Sequence, residues 1–155
     1  MPEPYRPRKL FTVEEANNCL PLVKAIVADV VATSAELVDR RQRLDHLTDG
    51  REPEPGDVYG DELADIGQEL ARDEERLKEY LQELHELGVE LKSPMDGLID
   101  FPSVMDDRVV YLCWKHGEPE VLYWHELDAG FQGRQSLTAG AIDSPGDGAE
   151  GGSEV

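Results

Sequence analysis

The sequence predicts an α+β fold, with a long antiparallel helical hairpin packed on a small antiparallel β-meander and an acidic C-terminal tail. Three observations predict it. Apolar residues recur every seven positions in two stretches separated by a Pro/Gly-rich segment, the period changes to two after Gly88, and the composition beyond Leu137 collapses to Gly, Asp, Glu, Ser and Pro. The expected layout is a flexible arm over residues 1–10, a single domain over 11–137 (hairpin 12–87, meander 89–137) and a disordered tail over 138–155. At 155 residues, one modest core is expected.

The first helix should start at Thr12. Thr12 and Glu15 form a capping box, in which each side chain satisfies a backbone N–H that the first turn leaves unpaired. Pro21 lacks an N–H and disfavours helical geometry at Leu20, so a break or kink is expected there, with the long helix running from Pro21 to about His46. Its stripe is Val23, Val30, Leu37 and Leu44, with Val27 and Ser34 one turn along.

Between Thr48 and Gly60, Pro53, Pro55 and three glycines read as the hairpin connection. The second helix, Asp61 to about Glu86, carries Leu63, Leu70, Leu77 and Leu84 at intervals of seven, with Ile66, Tyr80 and Leu87 on neighbouring rows. Two heptad-like helices joined by a loop should pair as an antiparallel coiled coil. In this second helix acidic residues outnumber basic ones ten to three, and Asp73 and Glu75 are assigned to its wetter face. Gly88 is placed to end it in the left-handed conformation.

Four strands are expected: Val89 to Lys92, Leu98 to Phe101, Val109 to Trp114 and Val121 to Leu127. Turn signals separate them at Ser93 to Gly97, Met105 to Asp107 and His116 to Pro119. A four-residue loop from His116 to Pro119 would set Lys115 opposite Glu120, Cys113 opposite Leu122 and Val110 opposite His125. One face would then present Val110, Leu112, Trp114, Val121, Tyr123 and His125 to the helices. The other would present Val109, Tyr111, Cys113, Leu122 and Trp124, too apolar for open water, so Val109, Tyr111, Leu122 and Trp124 are the candidate interaction face. Cover by the chain's own Gly130 to Leu137 segment is the alternative.

Composition narrows the function classes. The formal charge of −19 argues against a nucleic-acid backbone, which requires clustered Lys and Arg. It suits solubility first and a basic protein partner second. No stretch approaches the roughly 18 apolar residues of a membrane span, and no secretory leader precedes the domain, so the cytoplasm is the expected location. Cys19 and Cys113 are far apart in sequence and read as free thiols. No Ser-His-Asp arrangement, phosphate loop or dinucleotide fingerprint is present, so no cofactor is assigned and whether the chain is an enzyme stays open.

Side chains capable of chemistry concentrate late in the chain, at Asp100, Cys113, Glu118, His125 and Arg134. Cys113, Glu118 and His125 are residue types that suit zinc or iron, but the four-residue loop puts Cys113 and His125 on opposite sheet faces, and a three- or five-residue loop would bring them together. Arg134 suits pairing with Glu118 or Glu126, or clamping a carboxylate or phosphate.

The segments Leu112-Cys113-Trp114, Gly117-Glu118-Pro119, Trp124-His125-Glu126-Leu127 and Gly130-Phe131-Gln132-Gly133-Arg134 together resemble an uncharacterised bacterial family, DUF2203. The likeness covers Phe11 to Leu137 and includes the Phe-Thr-x-Glu-Glu-Ala start and the Leu20-Pro21-Leu22 triplet. His116 departs from the family pattern and reads as a turn residue. The resemblance implies no activity. Two readings follow from the residues: a non-enzymatic, homo-oligomerising interaction protein, or a small-molecule- or metal-binding protein with a polar site at one end of the sheet.

Overall fold

A computed structural model describes residues 5–48 and 58–137. The expected connection lies largely, and the expected tail wholly, outside the described residues. Helix α1 spans Val13–Thr48 and helix α2 spans Val58–Leu87, followed by strands β1 (Glu90–Ser93), β2 (Leu98–Met105), β3 (Arg108–Lys115), β4 (Tyr123–Glu126) and β5 (Gln135–Ser136), with a single 3-10 turn at Phe131–Gly133. The five strands form one antiparallel sheet in sequence order, so the α+β hairpin-and-meander architecture is as expected.

The capping box forms in both directions, with Thr12 N–H donating to Glu15 Oε1 and Glu15 N–H to Thr12 Oγ1, each at 3.0 Å. The expected break at Pro21 does not occur. Pro21 is exposed within a continuous helix, and the buried Ala16, Leu20, Val23 and Val27 hold both sides of it against the core. That packing offsets the roughly 3 kcal/mol an internal proline costs. Helix α2 begins three residues before the expected Asp61 and ends at Leu87, followed by Gly88, whose φ of +89° is the left-handed cap that its sequence position suggests.

The expected stripes are buried in part. Val23, Val27, Val30, Ser34, Leu63, Ile66, Leu70 and Leu84 are buried, whereas Leu37, Leu44, Leu77 and Tyr80 are half-buried. Asp73 corrects the reading of α2: it is fully buried, not on the wetter face. It continues the spacing of seven through Ile66 and Tyr80, and so points at α1, where Arg40 binds it. Arg76 adds a second contact at 3.0 Å, and Arg40 also reaches Glu69 at 3.1 Å. The outer half of the hairpin is thus joined by a charged cluster across its seam.

Strand β2 runs on past the expected Phe101 to Met105, through Pro102. β1 pairs only with Leu98, Ile99 and Asp100, so the missing N–H of Pro102 lies on an edge that has no strand to bond. The Pro102 carbonyl instead accepts the Phe11 N–H at 2.7 Å, fastening the chain just ahead of α1 to this edge. Asp106 and Asp107, with φ of 53° and 64°, make a two-residue turn whose backbone twist matches the β2–β3 hairpin. Gly97 turns β1 into β2 with a φ of +67°, and a Cβ there would stand 2.9 Å from Val31 and 3.0 Å from Val27 on α1. This close approach seats the sheet on the helix.

The β3–β4 register differs from the expected one by one residue. Tyr111 faces His125, Leu112 faces Trp124 and Cys113 faces Tyr123. The inner face is therefore Ile99 and Phe101 of β2, Val110, Leu112 and Trp114 of β3, and Trp124 of β4, all in one core with Phe11, Val23, Val27, Val30 and Leu84. Val121 joins that core from the loop. Tyr123 and His125, expected on the helix side, share the outer face with Tyr111 and Cys113, and Trp124, expected outside, is in the core. The cause is in the loop. Trp114 Nε1–H donates to the Glu118 carbonyl at 3.0 Å, Lys115 N–H donates to Glu118 Oε1 at 2.9 Å, and Asn17 Oδ1 of α1 accepts the Val121 N–H at 2.8 Å. These bonds shape a longer loop than four residues and let the larger apolar side chain, Trp124, take the inward position that His125 was expected to fill.

Candidate functional site

The corrected register places on one face what the expected register separates. Asp100 is opposite Cys113 between β2 and β3, and Tyr111 is opposite His125 between β3 and β4, so Asp100, Cys113 and His125 project from three adjacent strands to one point. All three are buried, and their ligand-type atoms lie within 4.8 Å of one another.

His125 is held at both ring nitrogens. Nδ1 lies 2.7 Å from the Glu126 carbonyl oxygen, which can only accept, so Nδ1 carries a proton. Nε2 lies 3.1 and 3.2 Å from the two Asp100 oxygens. In a neutral imidazole of this tautomer, the Nε2 lone pair would point at a carboxylate. Something positive must lie between them, either a second proton or a metal ion. Burial opposes the charge, but the Asp100 hydrogen bond and the Glu126 carbonyl outweigh it and raise the His125 pKa above its ordinary value. Burial, then the Asp100 charge, pushes the Cys113 thiol up to about 12, with Arg134 acting in the opposite direction. Without a metal, Cys113 is a neutral thiol.

Two groups of side chains cover this face. On the β1 side, the Glu90 carboxylate accepts the Tyr111 hydroxyl at 2.7 Å, the Lys92 ammonium at 3.0 Å and the Tyr5 hydroxyl. Tyr5 also meets Tyr111 edge-on at 6.1 Å. Burial opposes the Glu90 charge, but these three donors prevail and hold its pKa below the usual carboxylate range. Burial foremost, with the Glu90 carboxylate, raises Tyr111 to about 12.

On the β4 side, Arg134 donates to Glu118 Oε2 at 2.6 Å, the pairing expected from sequence. Its guanidinium stacks over Tyr123 at 3.8 Å and Phe131 at 4.6 Å. The Leu137 N–H bonds the Leu122 carbonyl at 2.9 Å, so part of the Gly130 to Leu137 segment does lie along β4.

Of the five residues expected to form a site, Asp100, Cys113 and His125 converge, and Glu118 and Arg134 pair beside them. The four residues expected to form an interaction face do not act together. Tyr111 lies beside Tyr5 and Glu90, Trp124 is in the core, and Val109 and Leu122 are half-buried. Sequence reasoning did not bring Tyr5, Glu90 and Lys92 to this face. The register was the available signal, since β1 pairing places Glu90 opposite Asp100.

The family described as "uncharacterized conserved protein (DUF2203)" matches residues 9–137. No curated protein and no solved structure matches the chain.

Proposed function

We propose, from the premise that the chain belongs to the uncharacterised family DUF2203, that it is a metal-binding protein whose centre is Asp100, Cys113 and His125. Its activity is unknown, and the family carries none to transfer. The observation that supports the reading is the convergence of three ligand atoms from three strands, with the Nδ1–H of His125 bonded to the Glu126 carbonyl and Nε2 directed at Asp100.

The donor set selects the ion. Thiolate, imidazole and carboxylate together suit zinc, with Fe(II) next, and do not suit magnesium or calcium. Tetrahedral ligands at zinc bond lengths stand about 3.3–3.7 Å apart. The 3.1 Å His125–Asp100 separation and the 4.8 Å limit on all three atoms need only small side-chain shifts to match. A divalent ion also balances the charge of a carboxylate and a thiolate beside a neutral imidazole. Three protein ligands leave a fourth position, which in zinc enzymes holds water or substrate.

The first reading of the sequence, a homo-oligomer formed through the outer face, loses two of its expected anchors because Trp124 is in the core and Tyr111 sits beside Tyr5. Among the described residues no helix is long and apolar enough to cross a membrane. Free thiols at Cys19 and Cys113 accord with a reducing compartment, and we assign the protein to the cytoplasm on that ground.

The test is metal stoichiometry. Metal-free protein dialysed against zinc should retain one equivalent by elemental analysis and native mass spectrometry. Cys113→Ser and Asp100→Asn, with unchanged helical circular dichroism, should retain far less. Full retention by both variants would contradict the assignment.

A further inference from the structure

Arg134 is the most enclosed cation described on this face. Its side chain is 9% exposed, its Nη2 is engaged by Glu118, and its Nη1 is buried with no hydrogen-bond partner. Buried guanidinium donors without partners are costly and uncommon. Glu118 meets Nη2 through Oε2 and the Lys115 N–H through Oε1 at 2.9 Å, and neither oxygen is placed to accept from Nη1. The guanidinium carbon also lies 3.8 Å from the Tyr123 ring centroid and 4.6 Å from that of Phe131, so two aromatic rings bound it. Lys115 adds a second positive charge, its Nζ lying 5.3 Å from the Phe131 ring centroid and forming no ion pair with a described residue. Arg134 and Lys115 thus lie over the same Phe131 ring in a chain whose formal charge is −19.

We infer that Arg134 is a binding subsite for the carboxylate of a small organic acid, which accepts from Nη1 with Lys115 contributing charge at its edge. A carboxylate matches the planar guanidinium fork, and the aromatic walls suit a short apolar body attached to it. Tyr123 lies directly opposite Cys113 across the β3–β4 pair, so a ligand held at Arg134 sits next to the Asp100, Cys113 and His125 cluster. Phe131 is the outer wall and is 41% exposed, so rotation of that one side chain is the simplest way in. The subsite itself needs no metal. Only its role beside a metal, as the anchor for a ligand that reaches the fourth coordination position, rests on the function proposed above.

The experiment is a titration of metal-free, full-length protein with propionate and, separately, benzoate, at constant ionic strength, followed by NMR at the Arg134 Nε–H and the Lys115 amide. Saturable shifts at both positions are expected in the wild type. Arg134→Lys, which keeps the charge but loses the fork, should weaken binding by at least about tenfold, the cost of one hydrogen bond to a charged group. Lys115→Gln should weaken it less. Because Arg134 also holds Glu118, Arg134→Lys is first checked for an unchanged Lys115 amide position, which reports the Glu118 bond. Absence of a saturable shift in the wild type, or equal affinity in Arg134→Lys, would overturn the subsite. Zinc stoichiometry is a separate readout: loss of zinc binding with intact propionate binding sinks only the metal reading, and the reverse sinks only the subsite.

Discussion

The inner and outer faces of the sheet are equally dry near its centre, yet they are held in different ways. Ile99, Phe101, Leu112 and Trp114 on the inner face and Asp100, Cys113 and His125 on the outer face are all no more than 2% exposed. Apart from the Trp114 Nε1–H bond to the Glu118 carbonyl, inner side chains are held by non-directional packing, which tolerates exchange of one apolar group for another of similar volume. Outer side chains are held by directed bonds that depend on protonation and on particular partners. Burial alone therefore does not mark the site. The chemistry of what is buried does.

The largest expected effect lies on the inner face. Trp114→Ala should destabilise the protein by about 3–5 kcal/mol in denaturant melts, through the cavity it leaves among Ile99, Val121 and α1. An outer-face substitution of comparable size is Asp100→Ala, which strips the buried His125 of its counter-charge and should cost about 3 kcal/mol. The two faces separate when volume is preserved. Leu112→Met, of similar volume, should cost far less than the roughly 2–5 kcal/mol of Leu112→Ala, whereas Asp100→Asn should recover little of the Asp100→Ala loss. Equal recovery on both faces would remove the distinction.

The pH dependence of stability sharpens the comparison. The folded pKa of His125 is raised, so in metal-free protein its contribution is fully present below the unfolded value of about 6.5 and is lost as pH rises through the folded value. Urea melts of metal-free wild type should therefore show stability falling across that window. Asp100→Asn should flatten the slope and Trp114→Phe should leave it unchanged. Zinc binding runs the other way, strengthening as pH rises, because the metal needs a neutral imidazole and a thiolate.

A smaller effect concerns the hairpin, where Asp73 repeats in a helix the situation of Asp100 in the sheet. Asp73→Ala should cost about 2 kcal/mol, below the range for breaking a fully buried pair, since Arg40 is partly exposed and keeps Glu69. Glu75→Ala, on the exposed side, should cost little. The smallest effect is kinetic. With no metal added, Cys113 should resist alkylation in native protein while the half-buried Cys19 reacts sooner, as mass spectrometry of partially labelled protein would report.

The helical hairpin was legible because Leu63, Leu70 and Leu84 repeat at a period no strand can use, and Thr12 and Glu15 announce the first turn. Asp73 lies on the neighbouring row, between Ile66 and Tyr80, where its charge hides a buried position. At Pro21, local propensity says nothing about the packing on either side that carries the helix through it. The site was legible in residue type and illegible in register. Cys113 and His125 share a face only if the β3–β4 loop departs by one residue from the four that its turn residues suggest, and its length depends on Glu118 and Asn17, which bond across the loop from 3 and 104 residues away in sequence. One local signal favoured the observed register: Trp124 fits an apolar core better than His125 does.

Cobalt(II) substitution tests the metal centre most directly, because its spectrum reports both coordination geometry and thiolate ligation. Metal-free protein titrated with Co(II) should saturate at one equivalent, with intense tetrahedral bands in the visible and a sulfur-to-cobalt charge-transfer band in the near ultraviolet. Cys113→Ser should lose the charge-transfer band, and Tyr5→Phe, a change outside the cluster, should keep both features. A wild-type spectrum indistinguishable from hexaaqua cobalt would contradict the account and leave Asp100 and His125 as a closed structural ion pair.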